Sequence, residues 1–191
     1  MICGLDEAGR GPLAGPVCAA AVVLPQDFPL SGLRDSKKLS PRQREKAGVR
    51  IREGALGWGI GWASETEIDA LNILQASLLA MKRAFEALEA GWSGGFERVE
   101  AVVDGLYVPD LPIPCRAVVR ADSRIPEVMA ASILAKTARD ARMEQYALLY
   151  PEYGYEKHKG YPTREHKEQI LRYGPSPIQR KTFKVNPVRK P

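Results

Sequence analysis

The sequence predicts an α/β protein: a mixed five-stranded sheet flanked by helices, with a small helical extension at the C-terminal end. Three observations predict it. Short apolar or alternating runs at 1–5, 15–24, 55–63, 98–104 and 115–120 read as five strands. Longer segments with apolar residues every three or four positions lie between and after them. A chain of 191 residues that is 45% hydrophobic and 27% charged is long enough to bury one core and too apolar to stay disordered.

Residues 1–5 are short and very apolar, as a central strand covered on both faces should be. The next run, 15–24, is bounded by Gly15-Pro16 and Pro25. Ser40-Pro41 opens a short basic helix over 41–52, proline suiting the first helical position. In 55–63, Leu56, Trp58, Ile60 and Trp62 alternate with Gly57, Gly59 and Gly61, so the strand has one bulky face and one bare one. Ser64-Glu65-Thr66-Glu67 has the form of a capping box, in which the hydroxyl and the Glu each satisfy a main-chain amide. The helix it starts carries Ile68, Leu71, Leu74, Leu78, Met81, Phe85 and Leu88 on one side and is expected to run to Gly91. After the strands at 98–104 and 115–120 comes a long helix from about Pro126 to Leu149, and a last helical stretch near 163–173. We read 1–150 as the sheet domain and 151–191 as a basic helical or irregular extension.

Composition excludes several classes. No apolar run approaches the ~18 residues of a spanning helix, so no membrane is expected. The N-terminus turns acidic at Asp6-Glu7, too early for a signal peptide. Cys3, Cys18 and Cys115 are an odd, scattered set without a C-x-x-C pair, which argues against a disulfide framework or zinc knuckle and for a cytoplasmic protein. The net charge of +5 is unevenly spread: 34–52 and 151–191 each carry +6, leaving −7 on the rest. Two basic blocks around an acidic body suit a polyanion held by its edges while acidic groups work in the middle. Two solvated helical faces would give the same pattern.

Three acidic positions stand out. Asp6-Glu7 follows the first strand and precedes Ala8-Gly9-Arg10-Gly11-Pro12. Hard divalent cations take carboxylate oxygens, and phosphates take amide N–H groups from a glycine turn, so this segment supplies both. An exposed acidic hairpin turn would look alike. Asp104-Gly105 ends a strand, where open α/β sheets place ligands, and where simple turns also occur. Asp122-Ser123 precedes the long helix, a common place for an N-cap. If the first and fourth strands are neighbours, Asp6 and Asp104 face one pocket with Glu7 and Asp122 at its rim. Such clustered carboxylates repel unless divalent metal neutralises them, and a pair of metals there can clamp both oxygens of a phosphoryl transfer.

The segments Asp6-Glu7-Ala8-Gly9-Arg10-Gly11-Pro12-Leu13-Ala14-Gly15-Pro16-Val17, Asp35-Ser36-Lys37-Lys38-Leu39 and Ala70-Leu71-Asn72-Ile73-Leu74-Gln75-Ala76 resemble those of type 2 ribonuclease H (ribonuclease HII). So do Ala121-Asp122-Ser123, Ala130-Ala131-Ser132-Ile133-Leu134-Ala135-Lys136 and Lys157-His158-Lys159-Gly160-Tyr161-Pro162-Thr163, in family order and nearly end to end. The resemblance implies a ribonuclease-H-like fold and an endonuclease dependent on Mg²⁺ or Mn²⁺ in a two-metal site. Its expected partners are RNA–DNA hybrids and DNA duplexes containing ribonucleotides, cut on the 5′ side of the ribonucleotide to leave 3′-hydroxyl and 5′-phosphate ends. The family's four acidic ligands fall on Asp6, Glu7, Asp104 and Asp122. Its loop at the 2′-hydroxyl falls on Gly9, Arg10 and Gly11, and its sugar-packing tyrosine on Tyr161. Ser36, Lys37 and Lys38 are expected to bind substrate, the two lysines by holding phosphates, with plain solvated surface as the lysines' alternative.

A core aromatic is the plain alternative for Tyr161, and a structural ion pair with Asp140 for Arg139. For His158 and His166, phosphate contact or plain surface is favoured over metal binding; Lys136 sits one turn from Arg139. Two departures are notable: Ala121 stands where many relatives have glycine, and, with five residues before Asp6, the N-terminal domain of type 3 relatives is not expected. A monomer is expected. The rivals are a DNA resolvase on the same fold, which needs the acids but not Gly9-Arg10-Gly11 with Tyr161, and a non-catalytic basic binder, which needs neither.

Overall fold

The computed structural model describes residues 1–33 and 39–185. Its strands are β1 (Ile2–Ala8), β2 (Val17–Val23), β3 (Gly57–Ala63), β4 (Glu100–Asp104) and β5 (Cys115–Val118). They form one sheet in the order β3-β2-β1-β4-β5, with β1, β2 and β3 antiparallel and β4 and β5 parallel to β1. The helices are α1 (Pro41–Gly54), α2 (Glu65–Leu71), α3 (Ile73–Gly91), α4 (Pro126–Leu149), α5 (Tyr155–His158) and α6 (Arg164–Tyr173). The expected mixed five-stranded sheet flanked by helices is what is observed.

Alternation along the strands builds a two-sided core. Cys3, Leu5, Val17, Ala19 and Ala21 face α3, where Met81, Phe85 and Leu88 are buried with them. Cys18, Ala20 and Val22 face α1 and α4, packing with Ile51, Ile133 and Leu134. Each of the large apolar side chains contributes roughly 1.5–3 kcal/mol by leaving water. The bare face of β3 is explained by α3, which lies so close that a Cβ on Gly61 would sit 2.1 Å from the Ala80 carbonyl oxygen. Helix backbone cannot yield as a side-chain tip can. We therefore expect Gly61→Ala to cost about 3 kcal/mol, a drop in melting temperature of about 6–12 °C for a chain of this size. An unchanged melt would mean that α3 does not pack on that face.

The expected Ser64–Glu67 capping box forms and opens α2, and a second one, Ser40 with Gln43, opens α1. The helix expected to run unbroken to Gly91 is instead two helices. Asn72 adopts φ 73°, ends α2, and accepts the Leu74 and Gln75 amides at 3.0 and 3.2 Å to start α3. The apolar stripe continues across the break, so periodicity alone does not reveal it. Segment 151–185 wraps back on the sheet: the Leu13 amide donates to the Gly160 carbonyl, and Ala14 bridges to Gln179. Among the described residues no helix is long and apolar enough to cross a membrane.

Candidate active site

Strands β1 and β4 run parallel with Leu5 opposite Val103. One residue further on, Asp6 and Asp104 stand on adjacent strands, whose spacing is ~4.8 Å. The sequence places Asp6-Glu7 beyond the first strand, but they lie within it: pairing with β2 continues through Asp6↔Ala20, Glu7↔Ala19 and Ala8↔Cys18.

Asp122 reaches the same place from β5. Arg120 takes the left-handed conformation at φ 58°, and one 3₁₀ turn, Ala121–Ser123, follows. The Ala121 amide donates to the Asp104 carboxylate at 2.7 Å, and the Ser123 hydroxyl donates to the Arg120 carbonyl at 2.9 Å. Neither Asp122 nor Ser123 caps α4, which begins at Pro126 with no side-chain cap bond. The N-cap alternative therefore falls. Ala121 has an ordinary backbone and packs its methyl with Val102 and Val128, so glycine is not required there.

Carboxylate oxygens of Asp6, Asp104 and Asp122 all lie within 4.8 Å of one another. Asp6 and Asp122 are buried. Glu7 stands outside this tight triad, its carboxylate 3.3 Å from the Arg10 guanidinium. It is still close enough to act electrostatically. Burial first, then the Glu7 charge, holds the Asp6 carboxyl well above the usual carboxylate range; Asp104 adds to this, and a hydrogen bond with Ser132 of α4 opposes it. Burial also raises Glu7, against the pull of Arg10. An all-oxygen set with mutual repulsion is what a hard divalent cation suits and relieves. Asp6, Asp104 and Asp122 fit such an ion as ligands, with Glu7 at hand to complete the shell.

Beside the acids opens a cavity of about 440 Å³ lined by Glu7, Gly9, Arg10, Gly11, Lys136 and Tyr161. Gly9 adopts φ 102°, and a Cβ on it would fall 2.0 Å from Arg139 Nε. Arg139 is fully buried and donates to the Pro16, Lys159 and Ala14 carbonyls at 3.0, 3.0 and 3.2 Å. The alternative of an Arg139–Asp140 ion pair is replaced: Asp140 receives Lys136 at 2.7 Å and Arg44 at 3.6 Å. Tyr161 is 39% exposed, its ring 5.7 Å from Lys136 Nζ and 5.9 Å from Arg139 Cζ, so it is not a core aromatic.

The histidines are neither surface nor phosphate contacts. Both are buried, with rings stacked at 4.4 Å. His158 accepts the Gly160 amide on Nδ1 at 3.2 Å, so its Nε2 donates to the Tyr153 carbonyl at 2.8 Å. His166 Nδ1 donates to the Tyr161 carbonyl at 3.0 Å. Burial pulls His166 down to about 4 from an ordinary 6.5. Below pH 6.5 the unfolded chain takes up a proton that the folded protein resists, so stability is lost as pH falls from 6.5 toward 4, on the order of 3 kcal/mol in all. Comparing the pH dependence of melting for wild type and His166→Gln checks this: the wild-type advantage should shrink over that interval. A constant difference would mean that His166 does not titrate differently on folding.

Ser36, Lys37 and Lys38 lie outside the described residues. Two site-shaping residues receive no role from the sequence: Ser132, which enters only as part of the Ala130–Lys136 segment, and Arg180, one of many basic residues in 151–191. Arg180 is fully buried beneath the Gly9–Gly15 loop.

The model of the family described as ribonuclease HII matches residues 3–186. The ribonuclease HII of Treponema denticola is 52% identical over 195 residues, covering 97% of this chain and 98% of that protein. That of Dechloromonas aromatica is 51% identical over 183 residues, covering 96% and 90%. The crystal structure of ribonuclease H2 from Pyrococcus horikoshii OT3 superposes with a TM-score of 0.75 at 27% identity, covering 96% of this chain and 94% of that one. With its acids gathered at the ends of β1 and β4 on this fold, the chain belongs to the ribonuclease HII family, the type 2 ribonucleases H, metal-dependent endonucleases acting on RNA in RNA–DNA hybrids.

Proposed function

We propose that this enzyme also cuts on the 5′ side of single ribonucleotides embedded in duplex DNA, as in ribonucleotide excision repair, leaving 3′-hydroxyl and 5′-phosphate ends. The observation that carries the reading is one cavity shared by a carboxylate, the Gly9-Arg10-Gly11 loop and the half-exposed Tyr161 ring. A 2′-hydroxyl both donates and accepts, and it is the group that separates RNA from DNA. Main-chain groups of a glycine loop can engage it without contacting the base, so cleavage should be nearly independent of sequence. The Tyr161 ring, flanked by the cations of Lys136 and Arg139, offers a flat face to the adjoining sugar. A deoxyribose lies closer to that face than a ribose, which gives a preference for an RNA–DNA junction.

Asp6, Glu7, Asp104 and Asp122 would hold two Mg²⁺ or Mn²⁺ ions. Those ions would supply neutralisation of the scissile phosphate, acidification of the attacking water and stabilisation of the departing 3′-oxygen. The chain's own part is placement. The Ala121 amide fixes the Asp104 carboxylate, and Ser132 orients that of Asp6. Arg10 holds Glu7 beside the cavity.

Residues 1–150 act in this reading as the catalytic domain, and 151–191 as an extension that completes the substrate site by contributing Tyr161. The four acids, the Gly9-Arg10-Gly11 loop and Tyr161 meet in one place on the chain, so we propose action as a monomer; a cytoplasmic location completes the proposal. The test is a DNA duplex with a single ribonucleotide, incubated with Mg²⁺, Mn²⁺ or EDTA. A metal-dependent cut on the 5′ side is the expected result. Cleavage of long hybrids alone would remove single-ribonucleotide recognition, and salt-sensitive binding without any cut would remove the catalytic reading of the acids.

A further inference from the structure

The carbonyls of Gly9 and Arg10 both point at one buried group at the far end of the chain. Arg180 Nη2 donates to the Gly9 carbonyl at 2.6 Å, Nη1 to the Arg10 carbonyl at 3.0 Å, and Nε to the Gly15 carbonyl at 2.8 Å. Its own amide donates to the Leu13 carbonyl at 2.9 Å. Burial first, and the neighbouring Arg139 second, pull this guanidinium down to about 9, still above neutrality, so every donor is present at working pH.

None of the peptide bonds here is cis. In a planar trans peptide the C=O and the following N–H point in opposite directions. The carbonyl of Gly9 shares its peptide plane with the amide of Arg10, and the carbonyl of Arg10 shares its plane with the amide of Gly11. By drawing both carbonyls inward, Arg180 turns both amides outward, on the side where Gly9, Arg10, Gly11 and Tyr161 line the cavity. Successive amides presented together form a concave donor pair for an oxygen ligand.

The arginine is itself held before any substrate arrives. The Asp69 carboxylate of α2 accepts the Lys181 and Thr182 amides, both at 2.9 Å, and the Thr182 hydroxyl at 2.7 Å. The Phe183 ring lies 5.0 Å from the Arg180 guanidinium. With the chain anchored on both sides, the guanidinium has little freedom to lose when the loop engages its ligand.

We infer that Arg180 is a positioning residue for ribose recognition: it sets the orientation of the Arg10 and Gly11 amides and so determines discrimination between a ribonucleotide and a deoxyribonucleotide. The inference deepens the proposed function and rests on the Gly9-Arg10-Gly11 loop reading the 2′-hydroxyl. Lysine cannot replace this arginine, since one ammonium cannot span three carbonyls in a planar fork.

The test compares binding, in EDTA, of two DNA duplexes that differ by a single 2′-hydroxyl, for wild type, Arg180→Lys and Arg180→Met, with thermal melts to establish folding. Wild type should prefer the ribonucleotide duplex by about tenfold, the worth of one good hydrogen bond. In folded variants that preference should fall to less than about threefold. Loss of folded protein alone would weaken both duplexes equally and leave the ratio intact, so an intact ratio in a folded variant overturns the inference. Failure of both variants to fold would also overturn it, making Arg180 a structural residue. A wild-type ratio near one would instead reject the loop as the reader of the 2′-hydroxyl, whatever Arg180 does.

Discussion

Asp104→Asn is expected to abolish cleavage and yet to raise the melting temperature in metal-free buffer. In the native protein Asp6, Asp104 and Asp122 bring carboxylate oxygens within 4.8 Å of one another, and Glu7 adds a fourth charge nearby. Two like charges 4 Å apart repel by about 4 kcal/mol at the effective dielectric of a protein site. The asparagine oxygen can still accept the Ala121 amide, so the turn that carries Asp122 keeps its tie. Relief of repulsion less some weakening of that bond leaves a net gain of about 2 kcal/mol, or a rise of about 4–8 °C. Activity with Mg²⁺ should fall at least about a hundredfold, because a carboxylate that would hold a metal ion at the scissile phosphate has been removed. Adding Mg²⁺ should raise the melting temperature of wild type more than that of the variant. A variant that is inactive and also less stable in EDTA would show that Asp104 serves the fold rather than a metal.

The parts of this site that are legible in the sequence share a physical character. Strand alternation and the Ser64 capping box depend on residues within four positions of one another and read correctly, whereas helix periodicity reads the apolar stripe and not the break at Asn72. The pairing of Asp6 with Asp104 is readable only on the condition that their strands are neighbours, which the parallel β1–β4 ladder satisfies. The end of β1 reads too early because acidic residues and glycines usually mark turns. Across the ladder stand Ala19 and Ala20, small enough to accept any partner residue, so pairing runs on through Asp6 and Glu7.

The least legible features are contacts between a charged side chain and distant main-chain carbonyls. Every residue carries a carbonyl, so a guanidinium that binds one leaves no complementary residue to find. Arg180 reaches Gly15 and Gly9 across 165 and 171 positions, and Arg139 reaches Pro16 across 123. The two buried histidines act locally instead, each fixing a backbone group beside Tyr161 from within five positions along the chain.

Arg139 gives the second large effect. It is a buried cation whose three main-chain partners belong to two separate stretches, Ala14–Pro16 and Lys159, so it joins the loop before β2 to the loop that carries Tyr161. Burial alone disfavours its charged form. Removing the charge in Arg139→Met relieves that cost, and methionine fills part of the volume, but three carbonyls lose their donor. Each unpaired buried carbonyl costs about 1–3 kcal/mol, so the net destabilisation should be about 3–5 kcal/mol, a fall of about 6–20 °C in melting temperature. That is a large share of the roughly 5–15 kcal/mol that typically holds a domain together. The Gly9 backbone, which now lies against Arg139 Nε, and the Tyr161 ring above the guanidinium would both lose their support. Cleavage measured well below the melting point should therefore fall as well, with the loss concentrated in KM if Tyr161 only binds and in kcat if it aligns the sugar for attack. A variant as stable as wild type would mean that water, rather than Arg139, can satisfy these carbonyls.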